Sequence, residues 1–246
     1  MPTFFIAPED ITPPTIRIAG PLLQHLHKSL RLQRGESLTL TSPEGIRYFV
    51  EVTESTSQAI HTRILNQKAA PPRATPQIVL GQALLKGERM DWVIQKASEL
   101  GAASLVPLVS RHVIVRPRAD RLTAQQQRWQ RIALEAAQQA ERWEVPVVHT
   151  TREAMVFFAE QPAGTIRLFL SERADGAGLA SVGLPRGPEG RVTIAVGPEG
   201  GWTKEERESA LHHGFTPVTL GPRILRAETA TLAALTILQS RLGELG

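Results

Sequence analysis

The 246-residue sequence contains no cysteine. Disulfides, zinc sites with thiolate ligands and a thiol nucleophile are therefore excluded, although metal sites built from histidine and carboxylates remain open. Long apolar runs are also missing, because none approaches the roughly 20 residues that span a bilayer. The N-terminal segment MPTFFIAPED lacks the basic and then apolar layout of a signal peptide. We therefore expect a cytoplasmic protein that does not bind membranes.

Hydrophobic residues make up 41% of the chain, which is enough to bury a core in one large domain or in a small domain and a larger one. The formal net charge is +4 and the pI is about 9.9, which favours a polyanionic partner. Basic side chains cluster in two segments, namely His25, His27, Lys28, Arg31 and Arg34, and Arg111, His112, Arg116, Arg118 and Arg121. Each cluster could neutralise phosphates, but taken alone such a cluster is more often an ordinary solvated surface.

The N-terminal part of the chain, from Thr3 to Leu65, contains short segments that are typical of strands. The predicted strands are Ile16–Ile18, Leu38–Leu40 and Tyr48–Val52, with a helix at Leu22–Leu30 and a turn at Ser42–Gly45. The stretch Lys68–Pro76 holds three prolines and cannot sustain a helix or an inner strand. We therefore predict one domain over residues 1–70 and a second over residues 71–246.

From Gln77 onward, strand-like and helix-like segments alternate along the chain. The predicted strands are Ile78–Leu85, Ser104–Val109, Val145–Val148, Ile166–Leu170, Val192–Val196 and Pro217–Leu220, and the predicted helices are Arg89–Leu100, Thr123–Glu141, Arg152–Ala159, Lys204–His213 and Thr229–Leu242. Such alternation indicates βαβ units and a mostly parallel sheet, so the fold class is α/β. Gly101 as a helix stop and Thr203–Glu206 as a capping box support these helix ends.

Two loops after predicted strands have an unusual composition, and ligands of open α/β sheets bind in such loops. Gly197–Trp202 holds three glycines ahead of a helix, which permits close approach of the backbone to a ligand, although a tight turn explains it equally well. Gly221–Ala230 places two arginines and a glutamate before an apolar helix. Neither loop has the G-x-G-x-x-G or Walker pattern, so a phosphate loop for a nucleotide cofactor is not expected.

These loops also carry a resemblance to a known family. AVGPEGGWTKEE (Ala195–Glu206) and LGPRILRAETA (Leu220–Ala230) resemble the two signature loops of RsmE-type rRNA methyltransferases, which belong to the SPOUT class. KGERMDWVIQKASELG (Lys86–Gly101) and LFLSER (Leu168–Arg173) resemble further segments of that family. The resemblance covers nearly the whole chain, with one departure: residues 135–142 read EAAQQAER where the family reads EAAEQSGR.

The resemblance implies both the architecture and the reaction. The C-terminal domain would be a SPOUT-type α/β domain with a deep trefoil knot, and the N-terminal domain a small PUA-like β-barrel that docks RNA. S-adenosylmethionine would lie in the knot, and the product would be a uridine methylated at N3 in 16S rRNA, either free or in the small ribosomal subunit. The residues implied for the cofactor site are Leu170, Ser171, Gly197, Pro198, Glu199, Gly200, Gly201, Leu220, Gly221, Ile224, Leu225, Thr229 and Ala230.

Methylation at N3 requires loss of the imide proton and an in-line approach to the methyl group, so positioning, a proton acceptor and stabilisation of an anion are needed. Arg226 is the first candidate for holding the anion or a phosphate, with a structural salt bridge to Glu228 as the alternative. Arg223 is suited to the same role or to gripping phosphate. Glu228 and Glu199 are the candidate proton acceptors, and both also fit a plain helix-start role. We expect no metal site.

The remaining predictions concern RNA, the partner subunit and Trp202. The candidate RNA-binding residues are His25, Lys28, Arg31, Arg34, Lys86, Arg142 and Arg173. The resemblance implies a homodimer through the knot region. The apolar face of the last helix is either the dimer surface or part of the core. This face comprises Leu232, Leu235, Leu238 and Leu242. Trp202 is either a stacking platform for a base or, as we favour, an anchor at a helix start.

Two other functions fit parts of the sequence. The Gly197–Gly201 loop at a helix N-terminus, with Arg223 and Arg226 as clamps, could bind a phosphorylated metabolite. Alternatively, the protein could be a non-catalytic RNA-binding or ribosome-assembly factor. That second function leaves the two C-terminal loops without a purpose.

Overall fold

The computed structural model describes residues 3–114, 116, 118–171 and 177–246, with the backbone alone at residues 28 and 29. The chain divides into two compact units. The N-terminal unit comprises Met1–Pro72 and Gln138–Glu144, and the C-terminal unit comprises Arg73–Ala137 and Val145–Gly246. Within the described residues, no helix combines the length and the apolar character needed to cross a membrane.

The described part of the N-terminal unit contains a six-stranded sheet and one α-helix. The elements are β1 (Thr3–Phe5), β2 (Ile11–Thr12), β3 (Thr15–Ile18), α1 (Gly20–Ser29), β4 (Ser37–Thr41), β5 (Ile46–Ser55) and β6 (Ile60–Ala69). The strand order is β1-β4-β5-β6-β3-β2, in which β1 runs parallel to β4 and all other neighbours are antiparallel. Alternate residues such as Leu38 and Leu40 face one buried core, as the period of two requires.

The proline-rich stretch begins inside a strand, because β6 continues to Ala69. The last two residues of β6, Lys68 and Ala69, pair with β5 only, since β3 reaches no further along β6 than Arg63. The end of β6 is therefore an edge, so the prediction that this stretch forms no inner strand is compatible with the structure. The predicted turn at Ser42–Gly45 joins β4 to β5, with the Gly45 N–H donating to the Ser42 carbonyl.

Among the residues described, the C-terminal unit forms an eight-stranded sheet in which every neighbouring pair is parallel. The strands are β7 (Gln77–Ala83), β8 (Ser104–Val109), β9 (Val147–Val148), β10 (Arg152–Glu153), β11 (Ile166–Leu170), β12 (Ala177–Gly178), β13 (Arg191–Val196) and β14 (Thr216–Thr219), and the α-helices are α2 (Arg89–Glu99), α3 (Leu122–Gln139), α4 (Ala154–Ala159), α5 (Lys204–His212) and α6 (Ala227–Leu242). The order is β10-β8-β7-β13-β11-β14-β12, with β9 also paired to β8. The predicted α/β class and parallel sheet are confirmed.

Helices cover both faces of this sheet, which explains the continuous apolar runs of its strands. Ile194 of β13 belongs to the core under α2, α3 and α6, whereas the next residue, Ala195, belongs to the core under α4 and α5. Leu235 and Leu238 of α6 are fully buried within the single chain. These two leucines therefore pack in the core and are not available to a dimer surface.

Several helix boundaries differ from the sequence predictions by one or two residues, as three of them illustrate. The predicted helix Arg152–Ala159 begins only at Ala154, because its first two residues pair with β8 as β10. The last helix begins at Ala227, two residues earlier than predicted. Helix α3 ends at Gln139, and Glu141 then adopts a left-handed φ of 49°. Glu141 stands where the resembled family has glycine, so this position holds a non-glycine residue in a conformation that favours glycine.

Candidate active site

Three adjacent strands of the C-terminal unit end at the same level and form the base of a cavity. Phe169 of β11 pairs with Ala195 of β13, and Leu170 pairs with Val218 of β14. The loops that follow these strands, together with the start of α6, enclose about 600 Å³. This volume lies within the range of sites for small molecules, and the place is the carboxyl edge of a parallel sheet.

The cavity brings together most of the residues that the sequence analysis assigned to the cofactor. Those that line it are Leu170, Ser171, Gly197, Pro198, Glu199, Gly200, Gly201, Leu220, Gly221, Ile224, Leu225 and Ala230. Thr229 is not among the lining residues and is exposed. It lies on the first turn of α6 beside Ala230, and consecutive helical residues point about 100° apart.

The backbone of the Gly197–Gly201 loop has requirements that only glycine meets. Gly201 has φ 69°, in the left-handed region that side chains disfavour. Gly200 lacks such a φ, but a Cβ added there would lie 2.9 Å from the Cβ of His112. One glycine is thus required by conformation and the other by close approach of a neighbouring segment.

Helix α5 starts directly behind this loop with the predicted capping box. The Thr203 hydroxyl accepts from the N–H of Glu206, and the Glu206 carboxylate accepts from the N–H of Thr203. The same carboxylate, only 2% exposed, also accepts from the Ser110 hydroxyl at 3.1 Å and from the Arg111 N–H at 2.9 Å. Glu206 therefore ties the segment after β8 to the helix that follows the glycine loop, a role that the capping pattern did not reveal.

Glu199 carries an unsatisfied oxygen at the cavity wall. Its Oε1 accepts a hydrogen bond from Nη1 of Arg89 at 2.9 Å, whereas its Oε2 is buried and has no hydrogen-bond partner. Arg89 also lines the cavity. Because a buried polar atom without a partner is costly, this oxygen suits a bound group that is positively charged or donates a hydrogen bond.

The three candidate catalytic residues lie close together in sequence but not in the same environment. Arg223 and Arg226 are exposed and line the cavity, whereas Glu228 does not line it. Glu228 is half-buried on the first turn of α6, and its Oε2 has no hydrogen-bond partner. In the part of the chain that is described, Arg226 and Glu228 form no salt bridge with each other. The alternative role for Arg226, a structural salt bridge with Glu228, is therefore not seen in this structure.

The candidate RNA-binding residues are distributed over both units. In the N-terminal unit, His25, Arg31 and Arg34 are exposed and Arg142 is half-buried. Lys86 is exposed in the C-terminal unit. Two candidates fall outside the description: the side chain of Lys28, and Arg173 with its neighbour Glu172.

Four residues of the site were missed or only partly assigned from the sequence. Arg89 and Arg207 line the cavity, and His112 contacts its glycine loop. Arg89 reaches the cavity because β7 pairs with β13, which brings the loop after β7 beside the glycine loop. Trp202 lines the cavity and packs edge-on against Phe158 at 5.5 Å, which supports the anchor role.

Across the described residues, no group of three or more histidine, aspartate or glutamate side chains is arranged to hold a metal ion. The chemistry of the cavity is instead that of two exposed guanidinium groups, a carboxylate with a free oxygen and a glycine-rich backbone. Such a set can bind an organic ligand with a cationic part and can hold a negatively charged reactant beside it.

Known proteins are similar to this chain in both sequence and fold. The family described as RNA methyltransferase domain matches residues 72–239. The chain is 35% identical to the ribosomal RNA small subunit methyltransferase E of Synechocystis, over 94% of the chain and 74% of the relative. The Bacillus subtilis protein of the same name is 28% identical, over 90% and 88%. A crystal structure of the Neisseria gonorrhoeae protein of that name, bound to S-adenosylmethionine, gives a TM-score of 0.88 at 32% identity and 98% coverage of each chain.

Proposed function

Because the chain belongs to the RsmE family of RNA methyltransferases, it is an S-adenosylmethionine-dependent rRNA methyltransferase, and we propose that it methylates N3 of a uridine in 16S rRNA. The observation that carries the proposal is the cavity at the ends of β11, β13 and β14, walled by the Gly197–Gly201 loop. Family membership sets aside both a phosphorylated-metabolite enzyme and a non-catalytic assembly factor. The proposed substrate places the protein in the cytoplasm, either on free rRNA or on the small subunit.

The cavity fits S-adenosylmethionine in size, and Glu199 supplies a carboxylate on its wall. The cofactor supplies a methyl group on a positively charged sulfur and also carries a cationic amino group. Glu199 would attract these charges, because its Oε2 is buried at the wall without a partner. Backbone groups of the Gly197–Gly201 loop and of Leu220–Leu225 would hold the adenine and the methionine part, since the site has no phosphate cradle.

The rim of the cavity would supply the chemistry on the uridine. Arg226 lines the cavity, is exposed and presents a planar guanidinium fork, so it would stabilise the uracil anion that forms when N3 loses its proton. Arg223, also on the wall, would grip a neighbouring phosphate. We assign proton acceptance to Glu228, whose Oε2 has no partner. Because Glu228 does not line the cavity, the proton would reach it through an intervening group.

We also propose the architectural details that the family resemblance implies. The C-terminal unit would carry the deep trefoil knot, with β11 lying between β13 and β14. The N-terminal unit would be a PUA-like barrel that docks RNA through its exposed His25, Arg31 and Arg34. Lys28, Lys86, Arg142 and Arg173 would extend the RNA contacts. Two copies would pair through the knot region, and Leu232 and Leu242, the other two leucines of the predicted face of α6, are half-buried.

Calorimetric titration with S-adenosylmethionine tests the proposal. The wild-type protein should bind, and a Gly200→Val variant should lose at least tenfold in affinity, because the added carbons collide with His112 and displace the loop. Gly183→Val is the matched control: a Cβ at Gly183 meets nothing within 4 Å, so binding should be unchanged. Absence of binding by the wild type, with and without 16S rRNA, would contradict the proposed function.

A further inference from the structure

The segment that follows β8 contacts the glycine loop through the side chain of His112. Nδ1 of His112 lies 2.9 Å from the carbonyl oxygen of Gly200 and 3.1 Å from that of Gly201. Carbonyl oxygens only accept hydrogen bonds, so Nδ1 must carry a hydrogen. The ring is therefore either the Nδ1–H tautomer or the imidazolium, and both donate to the loop.

The same histidine also packs against the loop. A Cβ added to Gly200 would lie 2.9 Å from the Cβ of His112 and 3.3 Å from its Cγ. Such distances leave no room for a side chain at position 200. A shared hydrogen bond and a close steric contact thus link His112 to the same two residues of the loop.

The support behind His112 is firm, although the side chain itself is exposed. Ser110 and Arg111 are both bonded to the buried carboxylate of Glu206. On the other side, the N–H of Val113 donates to the Ser110 carbonyl, and the Val113 side chain is buried in the core. His112 therefore projects from a turn that is anchored at both ends.

The contact determines which way two peptide groups face. In a trans peptide the carbonyl and the N–H of the next residue point in opposite directions. When His112 holds the Gly201 carbonyl, the N–H of Trp202 is turned to the far side of the loop. The N–H of Gly201 already donates to the Pro198 carbonyl at 2.9 Å. We infer that His112 is a positioning residue that presets the peptide group between Gly201 and Trp202 for S-adenosylmethionine. This inference rests on the proposed function, since it takes the loop to be the cofactor loop.

Three variants of His112 separate hydrogen-bond donation from simple packing. His112→Asn keeps a donor, because its amide nitrogen occupies the place of Nδ1, whereas His112→Asp has the same shape but only accepts. Calorimetry should show that His112→Ala binds S-adenosylmethionine about fivefold more weakly than the wild type, as expected for one lost hydrogen bond. The affinity of His112→Asn should lie within twofold of the wild type, and that of His112→Asp should be weaker than that of His112→Ala. In rRNA methylation assays, the KM for the cofactor should rise and kcat should change little. His212→Ala, at the opposite end of α5, is the matched control.

A double-mutant cycle tests the steric part of the link. Gly200→Ala should weaken cofactor binding in the wild-type background, and should cost several-fold less in a His112→Gly background, where the colliding Cβ is gone. The inference would be overturned if all His112 variants bound S-adenosylmethionine within twofold of the wild type and if the effects of Gly200→Ala and His112→Gly were additive. The proposed function would remain intact in that case, because the wild type still binds. Failure of the wild type to bind would overturn both. Equal melting temperatures for Asn and Asp with unequal affinities would exclude a general loss of structure.

Discussion

Replacing Glu206 with alanine should destabilise the C-terminal unit more than removal of a helix cap alone. The carboxylate accepts three hydrogen bonds, from the Thr203 N–H, the Arg111 N–H and the Ser110 hydroxyl, and is 2% exposed. Loss of the bond from the Thr203 N–H costs about 1 kcal/mol, and each further bond to a charged acceptor is worth about 1.5 kcal/mol or more. Relief of the buried charge offsets part of this sum. We therefore predict a net loss of about 3 kcal/mol for Glu206→Ala.

Scanning calorimetry can measure this loss, with Thr203→Ala as the reference. The reference variant removes the cap but leaves the bonds from Ser110 and Arg111, so it should lose about 1 kcal/mol. For a unit of this size, about 3 kcal/mol corresponds to a fall of about 6 to 12 °C in melting temperature. If the two variants melted within about 1 °C of each other, the bonds to the segment after β8 would contribute nothing, and this reasoning would be refuted.

Three further outcomes follow from individual residues. Arg226→Lys should lower kcat at least tenfold and leave the dissociation constant for S-adenosylmethionine within threefold of the wild type. The reason is that a lysine keeps the charge but lacks the planar fork of the guanidinium. Equal kcat values for the two proteins would remove Arg226 from the mechanism. Glu141→Gly should raise the melting temperature of the N-terminal unit by about 4 to 8 °C, since φ 49° costs a non-glycine residue about 1 kcal/mol. Burial, aided by two nearby arginines, lowers the pKa of His149 from 6.5. The unfolded state therefore takes up the proton first, and stability falls as the pH drops below about 6.5. His149→Gln should show a shallower loss of melting temperature between pH 7 and pH 5, and parallel curves would show that His149 plays no part.

The parallel sheet was predicted from the alternation of strand-like and helix-like segments, and its strands are apolar on both faces, as in a sheet covered by helices on both sides. Ile194 and Ala195 pack into different cores, and a run such as TIAV has that character whatever its neighbours. The capping box at Thr203 was also predictable, since both of its hydrogen bonds connect residues three apart. Local pattern suffices where the interaction itself is local.

Features that depend on strand order were not predictable in this way. His112 and Gly200 are 88 residues apart and meet only because both follow strands of one sheet. The two-residue strand β10 carries no periodicity of its own and is defined by pairing with β8. Within the N-terminal unit, the segment 138–144 packs through Trp143, whose ring lies 3.8 Å from the guanidinium of Arg47. That segment was predicted to belong to the C-terminal domain, over residues 71–246.

The residues of the candidate site also divide into those that a local pattern predicts and those whose place depends on the packing of the elements. The loop residues were assigned to one cavity because motif and strand end coincide, and most of them line it. The environments of Thr229 and Glu228 depend on the rotation of α6 about its axis, which a single sequence segment does not determine. Arg207, which also lines the cavity, lies on a mostly polar helix where one more arginine is unremarkable by pattern.

The measurement that tests the central claim most directly is primer extension on 16S rRNA after incubation of small subunits with the protein and S-adenosylmethionine. A methyl group on N3 of uridine blocks Watson–Crick pairing, so reverse transcriptase should stop at one uridine, and the stop should be lost with Gly200→Val. Methyl transfer without any stop at a uridine, or transfer to the ribose or to C5, would contradict the account.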